Sequence, residues 1–218
     1  MTLADLMSQA NRWHVVENGV RVHVSALVGL QPMRGPAFAR PVEDHPVPEL
    51  APGVTIGPFA IVYAGAHIGA DTQVCPFAHI REGVRIGARC IIGLGAKLGY
   101  GAEMGDDCQI MDDSHLSGGT VVGSRTFISV QVLGVNDDAP RGYRWRGVTP
   151  VRIGNDCVIG AGARLRPGIS VGDGATIAMG AVVTRDVEPG AIIKGPPARP
   201  VAQPDLYAAA AAEGTTGP

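Results

Sequence analysis

The sequence predicts an all-β fold, a parallel β-helix of hexapeptide repeats with a protruding loop and short terminal extensions. Three observations carry that expectation. The first is a run of thirteen aliphatic residues at every sixth position: Ile56, Val62, Ile68, Val74, Ile80, Ile86, Ile92, Leu98, Met104, Ile110, Leu116, Val122 and Ile128. An amphipathic helix repeats near 3.6 residues, so a period of six excludes one and matches stacked β-coils. The second is the residue two before each aliphatic, which is nearly always small, as at Ala60, Ala66, Thr72, Ala78, Cys90, Ala96 and Cys108. Two inward positions per six residues describe a short strand and a corner. The third is the glycine that commonly follows the aliphatic, as at Gly57, Gly69, Gly87, Gly93, Gly99, Gly105 and Gly123, where a tight corner is expected to need unusual dihedrals. Three hexapeptides then make one triangular coil, which buries its aliphatics only against the coils above and below.

Residues 1–50 carry little periodicity and read as an N-terminal cap with a proline-rich loop between Pro32 and Pro52. Within them, VHVSALVG at 22–29 looks like one early hexapeptide. The coil proper is expected over 51–200. Ile128 and Ile153 stand 25 positions apart, four hexapeptides plus one, and the segment between them is polar, aromatic and irregular. A loop at about 130–150 must therefore leave the coil. Loops beyond roughly 12–15 residues in a compact domain often carry function, so this one is a candidate binding arm through Asn136, Tyr143, Arg144 and Trp145, with a solvated protrusion as the alternative. The second run, Ile153, Ile159, Leu165, Val171, Ile177 and Val183, resumes the rule one residue out of phase. Residues 201–218 form a tail with an alanine run, to which no chemistry is assigned.

Composition agrees with a long, thin core, since aromatics are 5% and glycines number 31 of 218. A formal charge of −2, with both signs scattered, gives no basic stripe for nucleic acid. No apolar stretch approaches the roughly 18 residues of a membrane span, and the N-terminus lacks a charged segment followed by an apolar one. The chain is expected to be cytoplasmic. Cys90, Cys108 and Cys157 fall on the small inward position, where Cys acts as a compact hydrophobe, and Cys75 falls on an outward one.

The chain resembles the hexapeptide-repeat acyltransferases. Repeat and ending carry the likeness over residues 51–200, the ending being GAVVTRDVEPGAIIKGPPARPV with Gly195, Pro196, Pro197, Ala198 and Arg199. The resemblance implies a left-handed coil, a homotrimer and an acyl-CoA, acetyl-CoA above all, bound between neighbouring coils as cosubstrate with no metal. Carried onto this chain, it runs the pantetheine arm along backbone near Gly162, Ala163, Gly180 and Ala181, with Lys194 and Arg199 on the CoA phosphates, which need cations.

Similarity is closer to the N-acetyltransferases that modify nucleotide-linked amino sugars. Asn136 stands eight residues after Ile128, where that group carries an Asn before its loop; the loop itself follows; and the corner IMDDSHLSGG corresponds to their active corner. That group places an Asn or a His three residues after the aliphatic, and this chain has Asp113. Transfer to an amine needs a neutral nitrogen, and an Asp accepts its proton only with a raised pKa. His115, two residues on at an outward strand position, is the more ordinary general base. The expected catalytic pair is His115 with Asp113, against the alternative that both are ordinary corner and surface residues.

Stacking at eighteen residues puts Ile61, His79, Lys97 and His115 in one outward column, members about 4.8 Å apart. His79 and Lys97 are thereby candidate substrate-binding residues. Two histidines two spacings apart suit one zinc ion poorly, since metal–nitrogen bonds are about 2.0–2.1 Å. A γ-class carbonic anhydrase, which shares the coil, needs a third His five residues after the second, where this chain has Thr120. Other acceptors (tetrahydrodipicolinate, serine, a xenobiotic alcohol) and a non-catalytic scaffold also remain open, because a fold does not select a substrate.

Overall fold

The computed structural model describes residues 12–33, 43–137 and 148–195. It is a left-handed parallel β-helix of about eight turns, built from two-residue strands with almost no helix. Within the uninterrupted coils each strand pairs in parallel with the strand eighteen positions on, so the walls are three long sheets. The first holds Thr55–Ile56, Gln73–Val74, Ile91–Ile92, Gln109–Ile110, Phe127–Ile128, Val158–Ile159 and Thr176–Ile177, among others. On the second lie Leu27–Leu30, Ile61–Tyr63, His79–Ile80, Lys97–Leu98, His115–Leu116, Leu133–Gly134, Arg164–Leu165 and Val182–Val183. Glu49–Leu50, His67–Ile68, Arg85–Ile86, Glu103–Met104, Val121–Val122, Arg152–Ile153 and Ser170–Val171 form the third.

The periodic aliphatics and the small residues before them form one continuous buried column from Val20 to Val187. Inward Thr and Cys at the corner from third to first face do more than fill space. Thr72 and Thr126 Oγ1 donate to the Gly87 and Gly154 carbonyls at 2.9 Å, and the Cys90, Cys108 and Cys157 thiols donate to the carbonyls of Gly105, Gly123 and Gly172 at 3.2, 2.9 and 3.2 Å. Thr and Cys substitute for one another there because each supplies a short donor for a buried carbonyl. Outside, the same corner carries a charge ladder, with Arg89 on Asp107 and Arg125 on Asp156, each through two bonds of 2.7 Å.

The glycines following the aliphatics have a different cause from the one expected. Left-handed dihedrals occur two positions later, at residues as unlike as Phe59, Asp71, Arg89, Asp113 and Gly101. Gly69, Gly87, Gly105, Gly123, Gly154 and Gly172 have ordinary φ; a Cβ on any of them would run into the adjacent coil, for Gly87 at 2.5 Å from the Gly105 carbonyl carbon. Coil-to-coil contact, rather than dihedral freedom, demands glycine there. The demand is unbroken where the chain leaves the third face from Ile68 onward and lapses where it leaves the second, at Tyr63, Arg81, Ser117, Val135 and Arg166, and where it leaves the first, at Cys75, Met111, Ser129 and Ala178. Side chains therefore gather on two of the three edges of the prism, the charged ones, Arg81 and Arg166, on the edge leaving the second face.

Both insertions leave at the edge that follows the second face. Val22 and Val28 pair with Ile56 and Val62, so the coil begins ahead of residue 51, and its first turn is interrupted between Leu30 and Glu49. The second insertion starts only after Leu133–Gly134, which keeps register with His115–Leu116 inside the span first read as loop. Val122 then pairs with Ile153, 31 positions on, which accounts for the phase slip.

Candidate active site

The register fixes the outward column of the second face. Lys97 pairs with both His79 and His115, so the three sit side by side on consecutive coils. His115 is exposed, and its ring makes no hydrogen bond among the described residues. Burial of its surroundings first, and then the Lys97 cation, hold its imidazole below the ordinary pKa of 6.5. His79 is half-buried and held down by burial, then by Arg81 and then by Lys97. Its Nε2 is buried without a partner, and its ring tilts on Tyr63 at 5.6 Å. Both rings are thus biased toward the neutral state, in which an imidazole nitrogen can accept a proton.

Asp113 occupies the left-handed position of the corner before His115, with φ of 55°. The side chain is exposed and lies over Gly95 of the preceding coil, and no hydrogen bond joins it to His115. The expected pair is close in sequence but not in contact. Asn136 closes the base of the second insertion: its Nδ2 donates to the Gly118 carbonyl at 2.8 Å and its carbonyl accepts from Thr149 N–H at 3.0 Å.

The four backbone positions expected along a cosubstrate lie at successive corners of the late coils. Gly162 and Gly180 have φ of 69° and 67° and open space around them, while Ala163 and Ala181 are buried. All four amides are already used, by the carbonyls of Val130, Gly160, Ala161 and Ala178. A ligand there can take only carbonyls and van der Waals contact. Lys194 is exposed, next to Gly195, which packs against Ala181. Tyr143, Arg144, Trp145 and Arg199 lie outside the described residues.

Sequence reasoning missed Tyr63, Arg81 and Glu82. Glu82 is 2% exposed, and its carboxylate accepts from Arg81 Nε and Nη2 at 2.8 and 3.1 Å. The guanidinium carbon stands 5.0 Å from the Tyr63 ring centre. The available signal was the lost glycine after Ile80. Among the described residues no group of three or more His, Cys, Asp or Glu could hold a metal ion, and no helix is long and apolar enough to cross a membrane.

Comparison with known proteins finds the same repeat. A family model described as the hexapeptide repeat of succinyl-transferase matches residues 83–124 and 150–185, and one for the bacterial transferase hexapeptide matches 65–99. The bifunctional protein GlmU of Acidithiobacillus ferrooxidans is 33% identical over 133 residues, 59% of this chain and 26% of that protein. A chloramphenicol acetyltransferase of Agrobacterium fabrum is 51% identical over 65 residues, 30% of each chain. The chain thus spans about a quarter to a third of these relatives. Among solved structures, the UDP-N-acetylglucosamine acyltransferase of Campylobacter jejuni aligns with a TM-score of 0.54 at 17% identity, covering 80% of this chain and 71% of the other. That likeness is one of fold.

Proposed function

We propose that the chain, whose repeat these models match over residues 65–124 and 150–185, is a hexapeptide-repeat acyltransferase using acetyl-CoA or another acyl-CoA. The acceptor we propose is the amine of a nucleotide-linked amino sugar, bound at a groove between subunits of a homotrimer, with His115 as the general base. The observation that carries this reading is the column of His79, Lys97 and His115, in which burial and the Lys97 cation favour a neutral, outward imidazole. In the step itself the acceptor nitrogen bonds to the thioester carbonyl carbon and its proton passes to His115. The carbon–sulfur bond then breaks, and the CoA sulfur leaves with the electron pair and is protonated. In this reading Asp113, at the adjoining corner, holds the incoming ammonium, since no hydrogen bond joins it to His115.

A second reading changes the acceptor to a hydroxyl, and the 51% identity with a chloramphenicol acetyltransferase over 65 residues favours it. A neutral imidazole serves either nucleophile. Thermal unfolding with and without acetyl-CoA tests the common premise, because a ligand at about 100 times its dissociation constant adds roughly 2.7 kcal/mol of stability. No shift would sink both readings. Given a shift, CoA release with amino-sugar nucleotides and with chloramphenicol separates them.

A further inference from the structure

The pair Arg81–Glu82 is not needed by the coil. At the equivalent corner the neighbouring turns carry Tyr63–Ala64, Gly99–Tyr100 and Ser117–Gly118, all uncharged. A buried ion pair is often no more stabilising than apolar packing, and the turns on either side build this corner without one, so an enclosed Glu82 is not something the coil itself requires. What the pair achieves is orientation. Nε and Nη2 face Glu82 and the Tyr63 ring backs the guanidinium, while Nη1 makes no hydrogen bond among the described residues.

The surroundings select for negative charge. The outward positions of the second face from Leu27 to Val182 include Arg81, Lys97, Arg164 and Arg166 and no Asp or Glu. Lys97 has no ion pair among the described residues, and both it and Arg81 act electrostatically on His79, which lies between them. The place is framed by both insertions. From the first, His45 lies over Gly65 and reaches Gly83; from the second, Asn136 holds Gly118 and Pro150 lies against Gly119.

We infer that Arg81, aimed by Glu82 and Tyr63, binds an oxyanion of the acceptor together with Lys97, which makes the acceptor a phosphoryl- or carboxylate-bearing molecule. This rests on the acyltransferase reading. Arg81 is the contact; Glu82 is a positioning residue. A neutral acceptor such as an uncharged alcohol would leave Lys97 without an ion partner and Arg81 Nη1 without an acceptor.

The test is calorimetric titration of the full chain with inorganic pyrophosphate, with pyridine-2,6-dicarboxylate and, separately, with acetyl-CoA. One of the two anions is expected to bind, and which one binds tells a diphosphate acceptor from a dicarboxylate. Arg81→Ala should weaken that anion about tenfold or more, the scale of a charge-assisted hydrogen bond, and leave acetyl-CoA binding unchanged. Glu82→Gln separates aiming from charge. Removing a negative charge would by itself tighten anion binding, whereas loss of the grip weakens it, and weakening is the expected result. Should Glu82→Gln fail to fold, Arg81→Lys decides, because it keeps the charge but cannot span Glu82 and ligand, and it should lose as much as Arg81→Ala. The inference is overturned by binding of neither anion, by an unaffected Arg81→Ala, by Arg81→Lys or Glu82→Gln binding as well as the parent or better, or by a loss at Arg81→Ala that falls on acetyl-CoA. Absence of acetyl-CoA binding in the parent would instead remove the acyltransferase reading.

Discussion

Gly87→Ala and Gly101→Ala should differ in the opposite order from their backbone dihedrals. Gly101 has φ of 60°, a region L-residues enter at a cost of about 1–2 kcal/mol, whereas the φ of Gly87 is ordinary. Yet a Cβ at Gly101 meets nothing within 4 Å, and at Gly87 it stands 2.5 Å from the Gly105 carbonyl carbon and 2.6 Å from the Asp106 nitrogen. Carbon contacts relax at about 3.5–4.0 Å, so the coils must part by roughly 1 Å there. Overpacking of this kind costs about 1–3 kcal/mol. The gap also stretches the bonds from Gly87 N–H to Met104 O and from Ala88 N–H to Asp106 Oδ1, both 2.8 Å, at about 1 kcal/mol each. The expected loss for Gly87→Ala is about 3 kcal/mol. For Gly101→Ala the strain is offset by about 0.4–1 kcal/mol from the stiffer unfolded chain, leaving about 1 kcal/mol or less. Urea unfolding followed by circular dichroism, with amide exchange at residues 87 and 88 as the local readout for the first variant, measures both. A larger loss at Gly101→Ala than at Gly87→Ala would refute the packing account of these glycines.

Activity should follow the same site logic. His115→Ala is expected to lower kcat by about 100-fold or more, the usual worth of a general base, with a smaller loss at Asp113→Ala; the reverse order in CoA release would remove His115 as base. The base works when unprotonated and its pKa is depressed, so the acid limb of the kcat profile should lie below pH 6.5. Lys97→Met removes one cause of that depression and should move the limb upward, and a limb that stays put would show that Lys97 does not act on His115. In the interior, Thr126→Val deletes a hydroxyl that donates to Gly154 O at 2.9 Å and accepts from Cys157 N–H at 3.1 Å. It should destabilise by about 1–3 kcal/mol in denaturant titration, with Thr126→Cys costing less because it keeps a donor.

Much of the fold is legible because each turn of the coil states the same constraint again. An error at one position, such as Gly134 standing where an aliphatic is due, is outvoted by Leu116 and Leu165 on either side of it in the stack. The start of the coil was harder to see. Its first turn is split between Leu30 and Glu49, and a period of six cannot be followed across a gap of unknown length. The corner glycines were recognised for the wrong reason, since sequence alone does not say whether a glycine answers to its own φ or to the backbone of a neighbour.

The site divides along a similar line. His79, Lys97 and His115 were legible because they share a column, and a column is simple arithmetic once the coil has eighteen residues. Arg81 and Glu82 were not, because their significance is relational: a charged pair at one corner means little until burial shows that the carboxylate is enclosed and the lapse of the glycine rule shows that this edge has room. The same edge releases both insertions, and the two facts have one cause. A corner that must sit within van der Waals reach of the next coil tolerates neither a side chain nor a detour of the chain, and the edge leaving the second face, where that contact is relaxed at most turns, carries both. Recognition of an acceptor is therefore expected on this edge, in the coils between His45 and Asn136, and the late coils near Gly162 and Gly180, whose amides are consumed by the turns, are left to a ligand that needs a smooth groove rather than donors.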